Sequence, residues 1–99
     1  MNNWAYAAKI PASSEEGQTS ISVSTSSAAT SAVIKSNFAI VYSTVECFIV
    51  VGANPTATVA TGLPIPANTL VPVSGIRGGI DKIAAIAASG SGTLYIRPN

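Results

Sequence analysis

Apolar and polar positions alternate in short runs along this chain, most densely over residues 37–55. There Phe38, Ile40 and Tyr42 alternate with Ala39 and Val41, and Cys47, Ile49 and Val51 alternate with Glu46, Phe48 and Val50. A period of two places each set on one face of a strand. The β-branched and aromatic residues in these sets suit a pleated, half-buried surface. Ser43 and Thr44 interrupt the run, and Gly52 with Asn54-Pro55 ends it in turn chemistry. The pattern predicts a central strand pair around which a small β domain is built.

The remaining segments extend this reading in both directions. Residues 18–25 set Ile21 and Val23 against Ser20, Ser22 and Ser24, a strand with one hydroxyl face. Residues 26–31 read as a loop of small residues, and residues 56–61 as a short polar-faced strand ending at Gly62. Pro64 and Pro66 exclude the next segment from the inside of a sheet ladder, so it reads as a connection crossing between sheets. Residues 69–73 resume as a strand, with Pro72 marking an edge or its end, and Ser74-Gly75 with Gly78-Gly79 bracket a wide turn. Residues 80–88 are ambiguous. Ile80, Ile83, Ala84 and Ala87 fit a helical stripe, whereas the short span between Gly-rich turns fits a strand. The Gly/Ser link at residues 89–92 suits a hairpin into a last strand at residues 93–97, and the strand reading is preferred.

The expected fold is therefore all-β: a small antiparallel β-sandwich, jelly-roll-like, of about seven strands. It occupies residues 18–99 and is preceded by an extended N-terminal arm at residues 1–17. Pro11 and the polar run from Ser13 to Gly17 break regular structure in the arm. Trp4 and Tyr6 face the same way if the arm is extended. Trp4 either packs on its own domain or anchors the arm on a partner, because Trp and Tyr are enriched in interface cores. Trp4 and Tyr6 are the candidate partner-binding residues.

Composition changes this picture in one respect. The 99 residues are 47% hydrophobic but only 9% charged, with five Lys/Arg and four Asp/Glu, where a typical soluble protein carries roughly 25% charged residues. Much of the surface must then be Ser, Thr, Ala and Gly. Such a surface is either solubilised by hydroxyls or covered by neighbouring subunits. A net charge of +1 with scattered basic residues leaves no footprint for nucleic acid. No stretch approaches the roughly 20 apolar residues of a membrane helix, and the N-terminus has no signal-peptide pattern. The chain is expected to be made in a cytoplasm and kept there until it assembles.

The same inventory argues against catalysis. There is no histidine, which removes the commonest general base and metal nitrogen ligand. With one cysteine besides, no zinc ligand set can be assembled, and Cys47, within an apolar strand, reads as an inert thiol. Glu15 and Glu16 read as a solvated pair, and Glu46 and Asp81 as polar ends of elements. The glycines at positions 75, 78 and 79 lack the order of a phosphate-binding loop. The chain is expected to be no enzyme and to need no cofactor or metal.

Four stretches carry a resemblance: Gly52-Ala-Asn-Pro-Thr-Ala-Thr58, Leu63-Pro-Ile-Pro-Ala-Asn68, Ile83-Ala-Ala-Ile86 and Gly90-Ser-Gly-Thr-Leu-Tyr-Ile96. Over residues 32–97 the chain resembles small β-sandwich virion structural proteins of tailed bacteriophages, of the capsid decoration or cement type. Residues 1–31 match no part of that pattern. The resemblance implies a capsid-associated role, with the major capsid protein, copies of the chain itself, or both as partners, and the virion as location. The alternatives are a neck, tail or fibre component, or a carbohydrate- or receptor-binding sandwich; the latter usually needs an aromatic platform with several polar partners, and the remaining tyrosines, Tyr42 and Tyr95, both sit in strand patterns.

Overall fold

The computed structural model describes residues 19–98 of the chain. The N-terminal arm, and with it Trp4 and Tyr6, lies outside the described residues. Among the described residues, eight strands make two four-stranded antiparallel sheets: β1 (Thr19–Val23), β2 (Ala28–Ala29), β3 (Phe38–Ser43), β4 (Cys47–Gly52), β5 (Leu63–Ile65), β6 (Leu70–Ser74), β7 (Lys82–Ile86) and β8 (Gly92–Pro98). Sheet A has the order β1-β8-β3-β6 and sheet B the order β2-β7-β4-β5. This is the order of a jelly roll.

The topology follows from one long antiparallel hairpin rolled up on itself. Thr19 faces Ile96, Ala28 faces Ala85, Phe38 faces Ser74 and Cys47 faces Ile65. The first half of the chain thus pairs with the second half about the loop at residues 53–62. Each time the hairpin passes from one sheet to the other, its two connections run side by side and are tied together. Ala87 N–H donates to Ser24 O at the first crossing. Ile34 N–H donates to Asp81 O, and Gly79 N–H to Ile34 O, at the second. Asn68 N–H donates to Ser43 O at the third, where Ala67 also bridges Ser43. Paired crossings satisfy main-chain groups that would otherwise be lost at the sheet corners.

The core lies between the sheets. Ile21, Val23, Ala39, Val41, Val73, Leu94 and Ile96 of sheet A meet Cys47, Ile49, Ile65, Ile83 and Ala85 of sheet B, closed at the ends by Ile34, Ile76 and Ala87. The period of two in the sequence is therefore a true inside/outside alternation.

Several expectations need correction. The strands over residues 38–43 and 47–52 are present but do not pair, because they belong to different sheets. Ser43 and Thr44, read as an interruption, begin a corner: Ser43 Oγ donates to Val45 O and accepts from Val45 N–H. The link at residues 89–92 is likewise a crossing and no hairpin, since β7 lies in sheet B and β8 in sheet A. Residues 56–61 form no strand. Thr58 Oγ1 accepts from Thr61 N–H and Thr58 O accepts from Gly62 N–H, so a hydroxyl-stabilised turn replaces the ladder. Residues 63–65 are a strand despite Pro64, because β5 is an edge and needs main-chain donors on one side only. Pro72 lies on the edge strand β6, as its chemistry demands. Residues 82–86 are a strand.

Candidate partner-binding face

The two sheets differ on the sides turned away from the core. On sheet B the outward positions are Phe48, Val50 and Gly52 of β4, Lys82, Ala84 and Ile86 of β7, Ala29 of β2 and Pro64 of β5, by alternation with the core residues. The loop at residues 53–62 folds over this side. Gly62 lies so close to Phe48 that an added Cβ would come within 2.6 Å of the Phe48 Cβ. Ala57 is buried, with its N–H on Ser27 Oγ at 2.8 Å, next to β2. Ala84 points away from the core and is still fully buried. The loop thus touches this side at Phe48 and beside β2, while Pro64 stays exposed and Phe48, Val50 and Ile86 half-buried.

Sheet A carries a different exterior. Its outward positions are Ser20 and Ser22 on β1, Thr93, Tyr95 and Arg97 on β8, Phe38, Ile40 and Tyr42 on β3, and Leu70, Pro72 and Ser74 on β6. Cross-strand register sorts them into rows. Ser20, Tyr95, Tyr42 and Leu70 stand side by side in one row, and Arg97, Ile40 and Pro72 in the next. Four strands at a spacing of about 4.8 Å and five residues at about 3.3 Å give a face of roughly 14 by 16 Å. Leu70 is 52% exposed and Tyr95 36%, whereas Ile40 in the middle is 8% exposed. Arg97 is the one charged residue among these positions. Aromatic residues with an arginine, ringed by hydroxyls, are the composition of an interface core and its rim. Tyr42 is fixed at one corner, where its hydroxyl donates to Asn68 Oδ1 at 3.1 Å. Asn68 itself sits at a φ of 58°, the left-handed region that asparagine tolerates.

Tyr42 and Tyr95, distant in sequence, are thus direct neighbours across β3 and β8. Sequence reasoning named both but had no means to place them together, because that needs the strand order. It also missed Leu70, Pro72 and Arg97 as members of the face. Their signal was present as outward positions in alternating runs.

The other residues weighed for chemistry have structural employment. Arg77 donates from Nε and Nη2 to Asp81 Oδ1 at 3.0 and 2.7 Å, and its N–H donates to Asp81 Oδ2 at 2.9 Å. The Arg77 side-chain and main-chain bonds hold the Asp81 carboxyl below its ordinary value, and Asp81 raises the Arg77 guanidinium in return. Gly78 N–H is spent on Asn37 Oδ1 and Gly79 N–H on Ile34 O. Three consecutive main-chain donors are therefore turned inward, which leaves this glycine-rich turn no cradle for a phosphate. Cys47 is fully buried, and burial pushes its thiol up, against a lowering contribution from Ser43. Such a thiol is inert.

Searches of family models, curated proteins and solved structures matched nothing to this chain.

Proposed function

We propose that this chain is a non-enzymatic structural subunit that docks through the outer face of sheet A onto a repeating protein surface. The proposed surface is the head shell of a tailed bacteriophage, where the chain acts as a decoration or cement protein. The observation that carries this reading is the asymmetry of the sandwich. The middle of sheet B's outer side is sealed at the fully buried Ala84, while the outer side of sheet A exposes Leu70, Pro72 and Tyr95 beside the half-buried Phe38 and Tyr42, around a buried Ile40. The low charge of the whole chain and its resemblance to virion sandwich proteins support the same reading. Trp4 and Tyr6 are proposed as further anchors on the partner. A ligand that binds only the assembled shell adds to the shell's stability.

The test is quantitative mass spectrometry of purified particles, counting this chain against the most abundant shell protein. One copy per shell subunit, or per few, is the expected result. A handful of copies per particle reassigns the chain to the neck, tail or fibre, and absence from particles overturns the virion role. A second reading, a glycan-binding sandwich, is favoured by the side-by-side Tyr42 and Tyr95, since aromatic platforms serve that chemistry. Saturable binding to an immobilised glycan that Tyr95→Ala abolishes would establish it instead.

A further inference from the structure

Among the described residues, the four edge strands of the sandwich are not protected alike. β6 carries Pro72, β5 carries Pro64, and β2 is two residues long. Proline and extreme shortness are standard ways of blunting an edge against pairing with another chain. β1 has neither. Its five residues, Thr19-Ser20-Ile21-Ser22-Val23, contain no proline and no charge.

The phase of the ladder tells which groups β1 offers. Thr44 N–H donates to Thr93 O at 3.0 Å, so Thr93 turns its main-chain groups toward β3. Antiparallel ladders alternate, so Tyr95 and Arg97 do the same, while Leu94 and Ile96 turn theirs toward β1. Leu94 faces Ile21 and Ile96 faces Thr19. Ile21 and Thr19 are therefore the positions bonded to β8, and the N–H and C=O of Ser20 and Ser22 point out of the sheet at its edge, where none of the described strands pairs with them. The prolines obey the same phase. Pro72, opposite Ile40, and Pro98, opposite Ala39, fall where no ladder donor toward β3 is required.

We infer that β1 is a self-pairing edge, and that its occupant is β1 of a second copy of this chain in antiparallel orientation, with the two-fold axis at Ile21. In that register Ser20 of one copy faces Ser22 of the other, twice, and each pair exchanges two main-chain hydrogen bonds. Ile21 meets Ile21 of the second copy on the core side, and the Ser20 and Ser22 hydroxyls meet on the outer side. The segment is self-complementary, as an isologous two-fold contact requires. No like charges face each other, because β1 has none. Sheet A becomes one eight-stranded sheet across two copies. A five-residue strand contact is small beside the roughly 1,200 Å² of a stable interface, so the dimer is concentration-dependent. This goes beyond the docking role, naming the surface, register and stoichiometry of self-association, and it does not depend on the virion partner.

The experiment is sedimentation of the full chain over a concentration series, together with two double variants. The expected result is a monomer–dimer equilibrium about the 9.9 kDa chain. S20K/S22K places lysine opposite lysine in both pairs and should weaken the dimer by about tenfold or more. S20K/S22E places lysine opposite glutamate in both pairs and should restore it. Thermal melts of both variants matched to the parent exclude misfolding as the cause. A monomer at every concentration overturns the inference, as does a dimer indifferent to S20K/S22K or an S20K/S22E variant no tighter than S20K/S22K. Because sedimentation needs no particle, its failure leaves the particle count of the docking role intact, and the reverse holds.

Discussion

Tyr95 and Ile96 are neighbours on β8 that point to opposite sides of sheet A, so substituting each by alanine tests which side is core and which is surface. Ile96 is fully buried and faces Thr19 on β1 and Val41 on β3. Ile96→Ala removes three carbons, worth about 0.8 kcal/mol each in transfer alone. The cavity left between two sheets raises the cost to about 3–4 kcal/mol. A domain of this length holds about 5–15 kcal/mol in total, and each kcal/mol moves the melting temperature by about 4–8 °C. Ile96→Ala should therefore melt about 12–30 °C below the parent. Tyr95→Ala removes a larger side chain, but one that is 36% exposed on the outer face. Its loss from the cross-strand pair with Tyr42 should cost under about 1 kcal/mol. Docking should respond in the opposite sense, since removing an aromatic at the centre of an interface costs about 2 kcal/mol or more, near thirtyfold in affinity. Urea unfolding followed by circular dichroism measures the first quantity, and occupancy on particles the second. A midpoint for Tyr95→Ala as low as that for Ile96→Ala would refute the reasoning, because Tyr95 would then be part of a core.

Three further outcomes follow from the loops and the thiol. The Asp81 carboxyl is held below its ordinary 3.8 in the fold, so the stability it supplies is complete above that value and is lost as pH falls through the lower folded-state value; Asp81→Asn should flatten the acid limb of a stability–pH curve, and an unchanged limb would remove the ion pair from the account. Gly78→Ala would bring a Cβ within 2.7 Å of Lys35 O and 2.9 Å of Asn37 Oδ1, both fixed in the second crossing; urea titration should find it destabilised by about 1–3 kcal/mol. Cys47 should resist a thiol reagent at pH 8 in the native chain and react at once in urea, and fast native labelling would contradict its burial.

Alternation was plainest where a strand has one covered face, as at residues 19–23 and 92–98, while at residues 38–43 the outward Ile40 is itself buried and the run reads as nearly continuous apolar. Residues 82–86 were ambiguous because Ala84, on the outer side, is itself fully buried, which blurs a period of two into a continuous apolar run. Strand partners were hidden for a different reason. A corner such as Ser43–Val45 and a hairpin turn use the same small polar residues, so the chain does not announce whether the next strand stays in the sheet or leaves it. β5 was masked by Pro64 and the Pro66 that follows it, and β2 by its length. The docking face shared this fate. Its residues were each visible as outward positions, but their adjacency depends on β8 lying between β1 and β3.

The two inferences about sheet A constrain each other geometrically. A two-fold axis normal to the sheet at Ile21 leaves the outer faces of both copies on the same side. Pairing through β1 therefore joins two roughly 14 Å faces edge to edge into one platform, with the hydroxyls of Ser20 and Ser22 at its middle and the aromatic rows to either side. Each face alone is small for a stable contact, but two on one rigid sheet bind a repeating surface with the gain of an intramolecular second contact. The same arrangement accounts for the distribution of prolines. Pro72 stands on the far edge of sheet A, where a third copy would otherwise add and continue the sheet without end. Among the described strands, an unblocked β1 edge with a blocked β6 is the pattern that stops at two.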